Sequence, residues 1–255
     1  MRFLFSRRWV LFAVAVALMA FGAVRLGEWQ FDRLHQREQR NEWTERNLAA
    51  DPAPVDAVLA VGQPVPEDRE WTRVTATGEY DADATVVVRY QTRDGEAGVD
   101  LVTPLVTGSG TAVLVDRGWV PTANTATVPA ELPQPPPGEV DVVGWARADA
   151  TGRGVDVDQG STRAVSSVEI GEALDYPVYA GFVDAQKESP APTEQVRRTE
   201  LPDLGEGPHL FYGIQWWFFG ALAVFGFGYL AWDERRQKRR TGETGHAREQ
   251  PVSRT

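Results

Sequence analysis

The sequence contains no cysteine, which removes disulfides, thiolate zinc sites, iron–sulfur clusters, copper–thiolate centres and thiol nucleophiles together. Histidine and methionine are nearly as scarce: His35, His209 and His246 are the only imidazoles, Met1 and Met19 the only thioethers. A transition-metal site built from several imidazoles is not supported, so a redox or metal role must rest on one histidine, on tyrosine or on carboxylates. No glycine-rich phosphate loop, Gly-x-Ser-x-Gly elbow or internal repeat is present. Ser-His-Asp chemistry would need His35, in a charged stretch, or His209, at the border of an apolar run; neither suits a general base. The carboxylates are many, but no spacing picks out an acid pair of the glycosidase kind. The expectation is a protein that is not an enzyme and, with a net charge of −10, not a binder of nucleic acid.

What the chain does have is two long apolar runs. Leu210 to Trp232 carries no formal charge, and Gln215 is its one strongly polar side chain; at ~1.5 Å per residue this suffices to cross ~30 Å of hydrocarbon as a helix. Trp9 to Val24 is uncharged behind Arg2, Arg7 and Arg8, the profile of a retained anchor or of a signal peptide with a small-x-small site at Ala20-Phe-Gly22. The retained anchor is the expectation, with Arg25 and Trp29 at the interface. Glycines in the second run suggest close packing on the first through Ala13 and Ala17.

Charge sets the topology. From Glu28 to His209 there are 32 acidic and 15 basic residues, whereas the first eight residues hold three arginines and no acid, and Asp233 to Thr255 holds seven basic and four acidic residues. Positive flanks stay inside. The sequence therefore divides into a cytoplasmic N-terminus (1–8), a first transmembrane helix (9–27), a polar stalk helix (28–50), an extracytoplasmic β-rich domain (51–208), a second transmembrane helix (209–232) and a basic, unstructured cytoplasmic tail (233–255). The fold class is a membrane protein of α+β type, two transmembrane helices enclosing a mainly antiparallel β domain. Its expected place is the plasma membrane, both termini cytoplasmic, with the lipid bilayer as its first partner.

Within the domain, Trp71 to Tyr80, Thr85 to Thr92, Val99 to Val106, Thr111 to Val120 and Val140 to Ala148 read as strands, rich in Val, Thr, Tyr and Trp. Asp94-Gly95 and Gly108-Ser-Gly110 supply hairpin turns, so an antiparallel sheet or open barrel is predicted. In the fourth strand, alternation puts Val113, Val115 and Trp119 on one face, and Ala112, Leu114 and Asp116 on the other. Leu132 to Gly138 is an extended proline-rich loop, Val168 to Leu174 a short helix, Val178 to Asp184 a last strand, and Glu188 to Gly207 a tether. Asp116 and Arg117 read as an ion-pair or turn feature.

On a helix, His209, Gly213, Trp216 and Gly220 share a wedge of about 60°. That face offers an imidazole at its outer end and two flat glycine patches about an indole, a shape against which a porphyrin edge can lie while the imidazole meets its iron. The plainer reading is equally open: an interfacial histidine and tryptophans, with glycines for helix packing.

Four stretches, in order, resemble the Surfeit locus protein one family of cytochrome c oxidase assembly factors. Leu26-Gly-Glu-Trp-Gln-Phe-Asp-Arg33 is similar to the family's Leu-Gly-x-Trp-Gln-x-x-Arg after the first span, and Gly98-Val-Asp-Leu-Val-Thr-Pro-Leu105 to its Gly-x-x-x-x-Thr-Pro-Leu. Val113-Leu-Val-Asp-Arg-Gly-Trp-Val-Pro121 resembles its most distinctive segment, with Asp116 where asparagine is frequent. His209-Leu-Phe-Tyr-Gly-Ile-Gln-Trp216 resembles the entry to the second span, with Gly213 where alanine is frequent. The resemblance implies a chaperone-like role in building the haem a site of the largest oxidase subunit, with His209 as the iron ligand and Tyr212 and Trp216 shaping the pocket. Oxidase subunits and haem a synthase are the implied partners. A membrane tether that stabilises assembly intermediates without binding haem is the alternative, and Trp119 and Arg117 are expected to be structural or partner-contacting.

Overall fold

A computed structural model describes residues 5–246 apart from 127, 130, 195 and 206, with side chains to 238. It divides into a helical unit, Met1–Gln39 with Leu204–Thr255, and a β unit, Arg40–Asp203.

The helical unit holds the first part of helix α1 (Arg7–Ala49) and all of helix α3 (His209–His246). No proline or charge cluster breaks α1, so the apolar run and the polar stalk form one helix. Both helices contain a stretch long and apolar enough to cross a membrane. Leu11, Leu18 and Phe21 on α1, and Phe211, Phe218 and Phe225 on α3, are each at least 60% exposed, which is not how the core helix of a water-soluble protein carries its apolar side chains. The two helices pack antiparallel through size complementarity. A Cβ at Gly220 would stand 3.1 Å from that of Ala23, and one at Gly213 would stand 2.9 Å from the ring of Phe31. Trp9 and Phe12 meet Phe227 at ring distances of 5.7 and 5.4 Å. Gly220 thus seats on Ala20 and Ala23 rather than on Ala13 and Ala17. Past Trp232, where an unstructured tail is expected, α3 stays helical to His246. Its glutamate-then-lysine spacing supports this, Glu234 pairing with Lys238 at 3.1 Å in the favourable i,i+4 order.

The β unit is built on strands β1 (Ala53–Pro54), β2 (Arg73–Tyr80), β3 (Val86–Arg93), β4 (Glu96–Thr107), β5 (Ala112–Pro121), β6 (Glu139–Arg147), β7 (Ser161–Thr162) and β8 (Val178–Ser189), with a short helix α2 (Ser167–Gly171). β2 pairs with β6, β6 with β8, β8 with β5, β5 with β4, and β4 returns to β2. Those five strands close a barrel, while β3 extends β4 outside the ring and carries β7. The expected antiparallel sheet or open barrel is thus a closed barrel whose pairings are mainly antiparallel, as expected, but mixed, since β5–β8, β1–β2 and β3–β7 run parallel. Closure depends on β8, whose 12 residues outrun the predicted Val178–Asp184 and pair on both edges. The β3–β4 hairpin turns at Asp94 and Gly95, both in the left-handed region (φ 52° and 79°), as a two-residue turn requires.

Val74, Leu105, Val113, Val115, Val142 and Val183 fill the barrel with Tyr80. A second cluster, Val86, Val88, Val102 and Leu114 with Ile170, packs under α2. The stretch read as a tether is docked on the β unit at its middle: Arg197 exchanges backbone hydrogen bonds with Trp119 (2.8 and 2.9 Å), and Gln186 donates to Thr199 O.

Candidate functional site

Two constellations stand out, one in each unit, and each joins two of the motifs that are separate in sequence.

In the β unit the centre is Asp116-Arg117-Gly118-Trp119. Opposite β4 the register slips by one residue, Val102 facing Asp116 and Leu101 facing Gly118, so Arg117 is the extra residue of a bulge. Because partners across a ladder share a face, the slip turns Trp119 (opposite Asp100) to the side of Asp116 and Leu114, away from Val113 and Val115. This corrects the simple alternation. Trp119 then seats on Gly98, where a Cβ would stand 2.2 Å from the indole, and its Nε1 donates to Gln91 O. Gly118, at φ 126°, passes beneath the Arg197 carbonyl, 2.7 Å from where a Cβ would be.

The bulge turns Arg117 inward, and it is wholly buried. Its two terminal nitrogens donate to Pro133 O and Gln134 O, each at 2.9 Å, which pins the proline-rich loop. Nε lies 3.6 Å from Glu188 Oε1, in ion-pair but not hydrogen-bond range. Glu188 accepts from Tyr80 Oη at 2.7 Å and from Arg198. A register slip between β6 and β8 near Gln186 brings Glu188 to this position. Burial lowers the Arg117 pKa, and burial followed by Glu188 raises that of Tyr80.

On the outer face of β4, β5 and β8 lie Asp100, Asp116 and Asp184, all buried. Arg93 reaches Asp100 at 2.8 Å and also donates to the carbonyls of Arg197 and Arg198. Arg147 reaches Asp184 at 2.6 Å, and Asp116 accepts from Gly118 N–H at 2.9 Å. Burial pushes the Asp100 carboxyl up to about 6 against the pull of Arg93. Asp116 is raised well above the usual carboxylate range by burial and then by Asp100 and Asp184. Asp184 is raised by burial in spite of Arg147. Arg117 thus serves in an ion pair with Glu188, and Asp116 in a turn contact with Gly118 N–H, in keeping with the expected ion-pair or turn feature. This network is what reading the sequence misses; its one signal there is charge inside apolar strands. Among the described residues no group of three or more His, Asp or Glu side chains is arranged to hold a metal ion.

The helical unit contains the histidine. His209 opens α3 and is half-buried. Its Nδ1 lies 2.9 Å from Gln30 Oε1, within hydrogen-bond distance; in the tautomer with the proton on Nδ1 the ring donates to Gln30 and Nε2 carries the lone pair. Among the described residues Nε2 has no hydrogen-bond partner. Gln30 belongs to the Leu26–Arg33 motif, and its neighbours lock the same junction. Gly27 lies under Trp217, whose indole nitrogen would be 2.2 Å from a Cβ there, and Phe31 stacks on Trp217 at 4.8 Å. Tyr212 is 48% exposed and Trp216 half-buried.

The donor set fits a haem ligand: an imidazole oriented through its other nitrogen is the usual form of a metal-binding histidine. The cradle read from spacing does not fit, because Phe31 and Ala23 already cover Gly213 and Gly220. A porphyrin held by His209 would lie outside that groove.

Comparison with known proteins matches the SURF1 family over residues 17–221, from within α1 to within α3. Uncharacterized SURF1-like proteins of Mycobacterium bovis and of two strains of Mycobacterium tuberculosis are each 31% identical over 245 residues, covering 93% of this chain and 89% of the relative.

Two outcomes are expected in urea and thermal unfolding of the full-length protein. Arg117→Met leaves Glu188 and two loop carbonyls without their buried partner and costs about 3–5 kcal/mol, and adding Glu188→Gln recovers part of it. The three aspartates bind protons more tightly folded than at the ordinary 3.8. Each contribution to stability is therefore full below that value and lost as pH rises through the raised folded pKa, about 6 for Asp100. Asp116→Asn, which keeps an acceptor for Gly118 N–H, raises Tm at about pH 8 and flattens the fall in Tm between about pH 5 and pH 8.

Proposed function

The chain belongs to the SURF1 (Surfeit locus protein one) family, and on that premise we propose that it is a membrane-anchored biogenesis factor for cytochrome c oxidase that handles haem a through His209. α1 and α3 span the plasma membrane, both termini are cytoplasmic, and the acidic β unit is outside, as the basic flanks dictate. The protein is not an enzyme. Its partners are the bilayer, the oxidase subunits and haem a synthase.

The observation that carries the haem reading is the Gln30–His209 hydrogen bond. It supports the tautomer in which Nδ1 donates to Gln30, the one that leaves Nε2 free to take a ligand. When bound, haem a would supply an iron able to accept a nitrogen donor, and His209 would be the residue that holds it. The chain's own part is to hold His209 in one tautomer, with Tyr212 and Trp216 beside it as apolar walls that carry a polar edge. Gln30 is a positioning residue: it acts through the imidazole.

One observation favours the second reading, a tether that stabilises assembly intermediates without haem. The glycine face of α3 is used up by packing on α1, so those glycines are explained without a porphyrin.

Full-length protein purified in detergent from cells replete in haem a is expected to show a Soret band. His209→Ala abolishes it, and Gln30→Leu weakens haem affinity by about tenfold or more. Undiminished haem in His209→Ala removes the ligand role. Oxidase subunits co-purifying with no Soret band from wild type would establish the tether.

A further inference from the structure

Strand β3 carries a further bulge, and nothing inside the fold accounts for it. Val88 faces Asp100 on β4 and Gln91 faces Gly98, so Arg89 and Tyr90 together stand opposite Val99, and Tyr90 is driven to φ 63°. A bulge re-aims side chains, and a bulky residue in the left-handed region carries strain that glycine escapes. The result here is an outward ring. Tyr90 is 47% exposed, with the guanidinium of Arg89 at 5.8 Å and that of Arg163 at 4.9 Å from its centre, within cation–π range. Arg89 donates one terminal nitrogen to Ala126 O at 3.1 Å. Among the described residues neither guanidinium meets a carboxylate, whereas Arg93, Arg117, Arg147, Arg197 and Arg198 each do. Acidic residues outnumber basic ones 32 to 15 between Glu28 and His209, so two unanswered cations over one exposed ring are out of keeping with the rest of the β unit.

The same edge has the opposite character at its other end. β7 lies parallel on β3, Val87 beside Ser161 and Val88 beside Thr162, which puts Arg89 and Arg163 at one end of the pair and Val86 and Gly160 at the other. Val86 and Gly160 border a cavity of about 440 Å³ whose lining joins the apolar Val157, Ile170 and Leu174 to Asp81, Asp83 and Asp175. Asp81 accepts from Tyr176 Oη at 2.7 Å; Asp83 and Asp175 form no ion pair among the described residues. Three residues, roughly 10 Å of strand, thus separate a cationic aromatic knob from an anionic, partly apolar hole. A two-fold axis set across the edge between them reverses the order in a second molecule and places each knob at the other's hole, so that one surface satisfies itself twice. Tyrosine and arginine are also the side chains on which interface energy concentrates. We propose that the occupant of this edge is a second copy of the chain: an isologous dimer in which Arg89, Tyr90 and Arg163 of each copy enter the cavity of the other and meet Asp83 and Asp175. The dimer does not depend on the haem or oxidase readings of the protein.

The test is the oligomeric state of the full-length protein in detergent, followed by sedimentation velocity over a range of concentrations. Wild type is expected to dimerise, more weakly as salt is added. Arg163 and Asp175 are both exposed, and Arg163→Glu or Asp175→Arg alone sets like charges against one another at both contacts of the pair. Each is expected to weaken the dimer by about tenfold or more. Mixed in equal amounts, the two variants regain opposite charges at both contacts and are expected to form a heterodimer close to wild type in affinity. Tyr90→Gly removes the ring and suits the backbone; it is expected to weaken the dimer to a similar degree with no loss of Tm. A monomeric wild type, a dimer indifferent to the single charge reversals, or a mixture that stays monomeric overturns the proposal. So does a Tyr90→Gly variant that loses Tm yet dimerises like wild type, since the ring would then serve the fold and not the interface.

Discussion

Arg117 is wholly buried, and the β unit is organised to meet its charge from within. A guanidinium removed from solvent carries a desolvation cost of several kcal/mol unless its donors are met. Here two of them are met by loop carbonyls, and the charge is balanced by a glutamate that is itself bonded to a tyrosine and a second arginine. Those partners come from β2, from the loop before β6, from β8 and from the segment after it. One buried charge thus ties together parts of the chain that share no local signal, at the end of the barrel where β2 and β8 finish and β6 begins. The aspartate cluster on the outer face does the same for the segment that follows β8, through Arg93 and Thr199. Both networks exist because strand registers slip by one residue at Arg117 and near Gln186.

The helical unit follows a different rule. It has little charge to bury, and its order comes from matching small residues to large ones: glycine under tryptophan at Gly27, glycine under phenylalanine at Gly213, glycine on alanine at Gly220. Fixing these contacts also fixes the rotation of α3 about its axis, which brings His209 to Gln30. The motif that precedes the barrel and the motif that follows it are therefore two halves of one junction, as Gly98 and Trp119 are within the barrel.

The hairpin strands were legible because each obeys a local rule. Asp94-Gly95 calls for a two-residue turn, and Val-, Thr- and Tyr-rich runs between Gly and Pro call for strands. The two long helices were legible from length and apolarity alone, and the four motifs from their order. The inward Arg117 was not, because a bulge reverses alternation and is set by the partner strand, Val102 and Leu101 on β4. Nor was the full length of β8, whose Asp184 and Glu188 look like the end of a strand until their partners Arg147 and Tyr80, 37 and 108 residues away in sequence, are known. The Gln30 partner of His209, 179 residues distant, is invisible to any local reading. Gly213 and Gly220 were noticed, but spacing could not say that aromatic and alanine side chains already fill the space over them.

The ring β2-β6-β8-β5-β4 is closed by the strand made last. While the chain is being synthesised from its N-terminus, β5 and β6 both exist without the neighbour that separates them, each with an open edge, and the interior charge of Arg117 has yet to meet Glu188. Pairing between segments so far apart in sequence is slow to form and leaves strands open to wrong partners in the meantime. The nascent barrel therefore has a vulnerable interval that ends only when Val178–Ser189 and the residues up to Thr199 have emerged, so a truncation after β6 leaves not a smaller barrel but an open sheet.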